Sequence, residues 1–447
     1  MGYLPNDKPP MGQLILLGFQ HVLTMFPATV FVAAFCGFHV GTVLFASGIS
    51  TVVALLLSKR GIGKFIPLYY GSSFSYMAAY LAIVTQMTGS MPTWNTPVPD
   101  NVIQTMQAGI MLTGVLNIIV GFIIRQVGKD AIDKLLPPIV TGSVAAIIGF
   151  GLAYAALNMA GANWTVALLT LFVTILFSVY LQGRGFIGML PVLLGALAGY
   201  VISALLEPGS VSFAAVGAAP WFEMPHLTMP AFSGPMVGTA VFSISIMAIA
   251  TIPESTAHLY QISLYVDRTA EELGQKPYEL DKEIGFNLIL DGLGDFINGI
   301  FGATAGTNYG ENNSLMAITR NYSGPALVAA GIISILLGFV GKLAELVGTV
   351  PLAVSGGLAI YLFGVIGMQG IALMQEHNVS MFDPKNLSVG AIIMVVGIGG
   401  NIGFDGGFLP IPFFQGVFPN GLPAIATAAV MGILLNLVFH LFKTNNN

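Results

Sequence analysis

Apolar runs of about twenty residues, each long enough to carry an α-helix across a bilayer, recur along the whole chain. Fourteen can be read, at 12–36, 41–59, 65–88, 102–125, 137–160, 164–182, 185–206, 232–264, 283–302, 303–319, 323–348, 351–374, 386–403 and 421–442. Hydrocarbon offers backbone groups no water, so such a chain must fold as helices, with extended backbone only where protein covers it. Charge agrees with this reading. Only 8% of the 447 residues are charged, against about 25% in a soluble domain, too few to cover a soluble surface. A cytosolic enzyme and a disordered chain are thereby excluded. A net charge of −5 without a long basic run excludes a nucleic-acid binder. The polar, proline-rich start (MGYLPNDKPP) lacks the pattern of a removed signal peptide, so the first run is expected to be a true span. The single cysteine, Cys36, sits in an apolar run and is expected to be a small buried residue.

The basic residues orient the spans. With the N-terminus in the cytoplasm, all but one of the fifteen Lys and Arg fall in cytoplasmic segments, among them Lys59, Arg60, Lys64, Arg125, Lys129, Lys134 and Lys443. The exception is Lys342, and the long opposite-side segments 89–101 and 207–231 contain none. This positive-inside bias predicts a multi-pass protein of the inner or plasma membrane with both termini cytoplasmic.

Weak signatures pair span n with span n+7. Tyr70-Gly71-Ser72-Ser73-Phe74-Ser75-Tyr76-Met77 resembles Tyr309-Gly310-Glu311-Asn312-Asn313-Ser314-Leu315-Met316. Gly121-Phe122 matches Gly338-Phe339, and Pro137 and Gly142 match Pro351 and Gly356. Because seven is odd, the second copy enters the membrane from the opposite face, an arrangement typical of secondary transporters with a midplane binding site. The predicted fold is therefore an all-α polytopic protein, a 7+7 inverted repeat. Segments three and ten are its exceptions: 65–71 is aromatic and proline-containing, and 304–310 is small and polar. Each is expected to be a short extended strand followed by a half-helix, the two strands pairing antiparallel.

Ionisable residues at membrane depth are costly and become functional candidates. Glu254 and His258 stand four apart on one helix face of span eight, Asp291 and Asp295 likewise in span nine, and Glu311 opens the second half-helix. His21 lies in span one. As ligands, Glu254 and Glu311 would accept N–H groups of a small planar molecule, and the amides of Phe74 and Gly310 would donate to its carbonyls. As structural groups, the acids would cap helices or tie neighbours together. Glu254 and His258 also suffice for proton coupling. No metal-ligand set, sodium cage, nucleotide-binding motif or nucleophile–base pair stands out, so an enzyme and an ATP-driven pump are not expected and the proton is the only expected coupling ion.

With Gln20-His21, Tyr70-Gly71-Ser72-Ser73-Phe74, Leu136-Pro137-Pro138, Glu254, His258, Asp291-Gly292-Leu293 and Asn308-Tyr309-Gly310-Glu311-Asn312 in order from about Leu14 to the last span, the chain resembles the nucleobase–ascorbate transporters. Among them it is most similar to the bacterial uracil permease branch, which has Glu at the position of Glu311. The resemblance implies a core domain (12–126 and 232–349) moving against a gate domain (137–206 and 351–443). It implies proton symport of a nucleobase, uracil first and xanthine or another purine as the alternative. It also implies a homodimer through the gate domain. It assigns Glu254, Glu311, Phe74, Gly310, His258 and Tyr309 to the base, and Glu254, His258, Asn312, His21 and Asp291 to a proton-coupling or polar network. Pro27, Tyr76, Pro253, Asp295 and Ser314 depart from the family pattern. Anion carriers of the sulfate-type families share the fold, but two carboxylates at the site argue against an anion.

Overall fold

The computed structural model describes residues 2–128, 136–415, 418 and 420–442. Lys129, Lys134 and Lys443, used above for orientation, lie outside the described residues, as does the last position of the expected 351–443 domain.

The first half of the chain forms α1 (Met11–Cys36), α2 (Val40–Ile62), β1 (Tyr70–Ser72), a single 3₁₀ turn over Phe74–Tyr76, α3 (Met77–Thr88) and α4 (Asp100–Val127). It continues with α5 (Pro138–Gly151), α6 (Ala153–Ala160), α7 (Trp164–Tyr180) and α8 (Pro191–Leu206). A short α9 (Ala214–Ala218) lies in the connection. The second half forms α10 (Val237–Ser245), α11 (Ala248–Glu272), α12 (Ile284–Phe301), β2 (Gly306–Asn308), α13 (Gly310–Thr319), α14 (Gly324–Leu337) and α15 (Gly341–Gly348). It ends with α16 (Leu352–Glu376), α17 (Pro384–Met394), α18 (Gly400–Gly403), a small hairpin of β3 (Phe408–Leu409) and β4 (Leu422–Pro423), and α19 (Ala424–Leu441).

Among the described residues nine spans are individually long and apolar enough to cross a membrane, or ten when the bent pair α14 and α15 counts as one. The rest of the expected segments are shorter helices or strand-plus-half-helix pieces. Span eleven differs from the straight helix expected over 323–348: it turns by 80° between α14 and α15. Span eight runs to Glu272, past the expected end at 264, as a charged extension of the helix.

Packing repeats with the seven-span period. The α4–α12 and α2–α14 contacts exchange under n→n+7, as do α4–α10 and α1–α14, and α7–α8 and α17–α19. Glycines make the first two crossings alike. A Cβ at Gly121 would fall 2.5 Å from the Gly285 carbonyl oxygen, and one at Gly48 would fall 2.5 Å from that of Gly331. One heptad along, Gly114 meets Gly292 and Gly41 meets Gly338. Close approach of backbones at small residues is the ordinary way helices associate without a hydrophobic drive. Two sets of helices result. One contains α1, α2, α4, α10, α12 and α14; the other contains α5 to α8, α16, α17 and α19.

The outer faces are apolar. Phe172, Val179, Leu197, Val201, Leu205 and Phe122 are exposed, as expected where lipid is the solvent. The outlying cation, Lys342 on α15, is held by the segment joining α8 to α10. Its Nζ donates to the carbonyls of Val216 (2.7 Å) and Gly217 (3.2 Å) and lies over the Trp221 ring.

Candidate functional site

β1 and β2 pair antiparallel, with Tyr70 opposite Asn308, Gly71 opposite Thr307 and Ser72 opposite Gly306. The pairing extends at both ends through Tyr309 N–H to the Tyr69 carbonyl (2.9 Å) and Ser73 N–H to the Ala305 carbonyl (3.1 Å). Aromatic and small polar sequence prevents helix here, and surrounding helices satisfy the leftover backbone groups. Ser47 and Thr51 donate to the Tyr70 carbonyl, Tyr80 accepts from Ala305 N–H, and Asp295 accepts from Gly306 N–H at 2.6 Å. Asp295 therefore holds the ribbon in place. Its second oxygen lies 3.3 Å from the Asn117 amide nitrogen.

The ribbon delivers the starts of both half-helices to one region. Residue 309 precedes α13 and supplies no side-chain cap, so the first-turn amides of Gly310, Glu311 and Asn312 open the helix without one. Ser73 caps the opposite turn through its side chain and Ser75 N–H, with Phe74 beginning that turn. Glu254 comes from α11 immediately after Pro253, inside the helix. Proline has no N–H to give its preceding turn. The charged and titratable neighbours of Glu254 are His258, Glu311 and Asp291. Glu254 is half-buried, whereas Glu311 is exposed at the start of α13. One imidazole and two further carboxylates thus act electrostatically on Glu254, a cluster centred on that residue where α11, α12 and α13 meet.

The other expected residues divide between this cluster and the contacts that support it. His258 Nδ1 lies 2.9 Å from the Asn308 carbonyl oxygen and 2.9 Å from its side-chain oxygen. A Cβ at Gly310 would fall 2.7 Å from His258 Nε2, so the imidazole edge abuts the glycine backbone. Tyr309 is tied to the ribbon and to α1: its hydroxyl donates to the Ser72 carbonyl (2.7 Å) and receives that of Thr29 (2.9 Å). Asn312 also reaches α1, its Nδ2 donating to His21 Nδ1 and to the His21 carbonyl, both at 3.1 Å. His21 and Asn312 thereby tie α1 to α13. Asp291 is buried, and its Oδ2 has no hydrogen-bond partner among the described residues. Tyr76 hydrogen-bonds Thr251 at 3.1 Å, linking the first half-helix to α11.

Sequence reading missed the polar hub behind the cluster. Ser255 Oγ accepts from both Asn308 Nδ2 (2.7 Å) and Asn287 Nδ2 (2.9 Å), and Asn287 Oδ1 accepts from the Tyr70 hydroxyl (3.2 Å). Asn287 stands four residues before Asp291 on one helix face, the available signal for it.

An aromatic group separates this region from a cavity of about 210 Å³ lined by Phe35, Leu81, Trp94, Asn158, Met159 and Leu352. Phe31 packs against Phe74, Phe35, Trp94 and Phe363, with ring centroids 5.5–6.2 Å apart. Phe363 is on α16, so rings from both helix sets meet here.

A polytopic helical protein with a seven-span repeat, two antiparallel broken segments and acids gathered at their junction is of the membrane-transporter class rather than an enzyme. Residues 12–406 match the Xan_ur_permease model, described as a permease family, and the chain belongs to that family. It is 34% identical to the uracil permease of Bacillus caldolyticus, covering 97% of this chain and 93% of that protein. It is also 34% identical to the uracil permease of Escherichia coli (strain K12), covering 98% and 94%. In fold it is similar to the transmembrane domain of a cyanobacterium bicarbonate transporter, BicA. That match has a TM-score of 0.58 at 14% identity and covers 97% of this chain and 99% of that one.

Proposed function

We propose that this permease carries uracil into the cell with protons, binding the base between the two half-helix starts. The observation that carries this reading is the convergence of Glu254 and Glu311 on the uncapped start of α13. Uracil offers two ring N–H groups and two carbonyls in one plane. Glu254 and Glu311 would accept from the N–H groups, and the amides of Gly310 and Phe74 would donate to the carbonyls. His258 would line the site beside Gly310, and Tyr309 would act by fixing Ser72 and the ribbon. Full-length similarity to uracil permeases favours uracil over xanthine, and two carboxylates disfavour the anions carried by proteins of similar fold.

A carboxylate at membrane depth can carry a proton as cargo. Glu254 is suited to this because it would meet the base while lying near His258 and Asp291. Asn312 and His21 would transmit movement of α13 to α1. The helix set containing α1, α2, α4, α10, α12 and α14 would be the core and the other set the gate, in alternating access. Separation of Phe31 and Phe35 from Phe363 would open the cavity toward the base. The basic-residue pattern supports cytoplasmic termini in the plasma membrane, and the apolar gate helices offer a surface for a homodimer.

The test is a thermal-shift panel of nucleobases on purified protein. Uracil should raise the Tm in proportion to occupancy and xanthine should not. Stabilisation by xanthine alone would overturn the substrate.

A further inference from the structure

Away from the carboxylate cluster, three side chains from separate parts of the chain meet at the end of the molecule opposite the basic ends of α2 and α4. His39 precedes α2, Asp100 is the first residue of α4, and His226 lies in the segment joining α8 to α10. His226 Nε2 is 2.9 Å from Asp100 Oδ1, and the two imidazoles stack with centroids 4.2 Å apart. One donor atom from each of the three lies within 4.8 Å of the others. Thr42 Oγ1 donates to the His226 carbonyl at 2.8 Å, holding that backbone over α2.

We propose that His39, Asp100 and His226 form a site for a zinc-like divalent transition-metal ion that fastens the connecting segment to the helices beneath it. Two imidazoles and one carboxylate, with a water in the fourth position, are a ligand set suited to Zn²⁺ and its neighbours. Mg²⁺ and Ca²⁺ prefer oxygen ligands and would be rejected. Bonds of about 2.0–2.2 Å in a tetrahedron place ligand atoms roughly 3.4 Å apart, so closure needs only a small convergence of three partly exposed side chains. An exposed His–Asp pair alone contributes about 0–1 kcal/mol and gives no reason for a second imidazole stacked on the first.

The location gives the ion something to do. The segment is already anchored on one side by Glu223 N–H to the Phe339 carbonyl (2.8 Å) and on the other by Thr228 Oγ1 to Gln107 Oε1 (2.9 Å). His226 lies between these anchors, so a metal there closes the strap onto α2 and α4. The proposal does not depend on what the protein carries.

The test is calorimetric titration of ZnCl₂ into chelator-treated, detergent-purified protein, with thermal shift in parallel. One equivalent should bind the wild type and raise its Tm, and MgCl₂ or CaCl₂ should not. His39→Ala and His226→Ala should weaken binding by more than the roughly 10–100-fold that loss of an outer-shell partner costs, while keeping the Tm of the metal-free protein. His377→Ala, at an exposed histidine elsewhere, should bind as wild type. No binding, equal binding of Mg²⁺, or unchanged binding in the His39 and His226 variants would overturn the site.

Discussion

His258 Nδ1 meets both oxygens of Asn308 at 2.9 Å, so the last residue of β2 fixes the imidazole that faces Gly310. Two acceptors around Nδ1 make that nitrogen the donor, and the far edge of the ring abuts the Gly310 backbone. Asn308 is in turn fixed by Ser255, the residue after Glu254. The ribbon, the imidazole and the α11 hydroxyl beside Glu254 are thus one hydrogen-bonded unit. Asn308→Ala should raise the KM for uracil by about threefold to tenfold, the value of a lost hydrogen bond, in uptake kinetics normalised to folded protein.

Gly310→Ala should impair binding without unfolding the protein. The added methyl would fall 2.7 Å from His258 Nε2 and push the imidazole from the half-helix start. Uracil-dependent thermal stabilisation should be lost while the ligand-free Tm stays near that of wild type.

Asp295 should behave as a structural residue. Asp295→Ala leaves the buried Gly306 N–H without its acceptor, a cost of about 1–3 kcal/mol. Asp295→Asn retains an oxygen and should recover part of that loss. Thermal unfolding should order the three proteins wild type, Asn, Ala.

The two glycine crossings should respond alike because the repeat relates them. Gly48→Leu and Gly121→Leu would each drive a side chain into a carbonyl of the facing helix. Each should destabilise by about 1–3 kcal/mol, the usual cost of overpacking, seen as similar falls in Tm.

Local chemistry made much of this fold legible. Segments 65–71 and 304–310 are poor helix material, and the matching Tyr-Gly steps predicted both the strands and the half-helices that follow. The scarcity of charge at membrane depth singled out Glu254, Glu311, His258 and Asp291, which the fold gathers together. Tyr309 and Asn312 stand out in the sequence, but their partners do not: Ser72 and His21 are far away in the chain. The same separation hid the Asn287–Ser255–Asn308 hub. The 80° turn between α14 and α15 carries no proline, and the apolar run passes through it unbroken.

The central claim is that Glu254 and Glu311 together bind uracil as it moves with protons. Proteoliposomes with an inward proton gradient should accumulate radiolabelled uracil, and Glu254→Gln and Glu311→Gln should each lower that accumulation by at least about tenfold, as expected for a charge-assisted hydrogen bond. Accumulation that is unchanged in both variants, or that a sodium gradient drives without protons, would contradict the account.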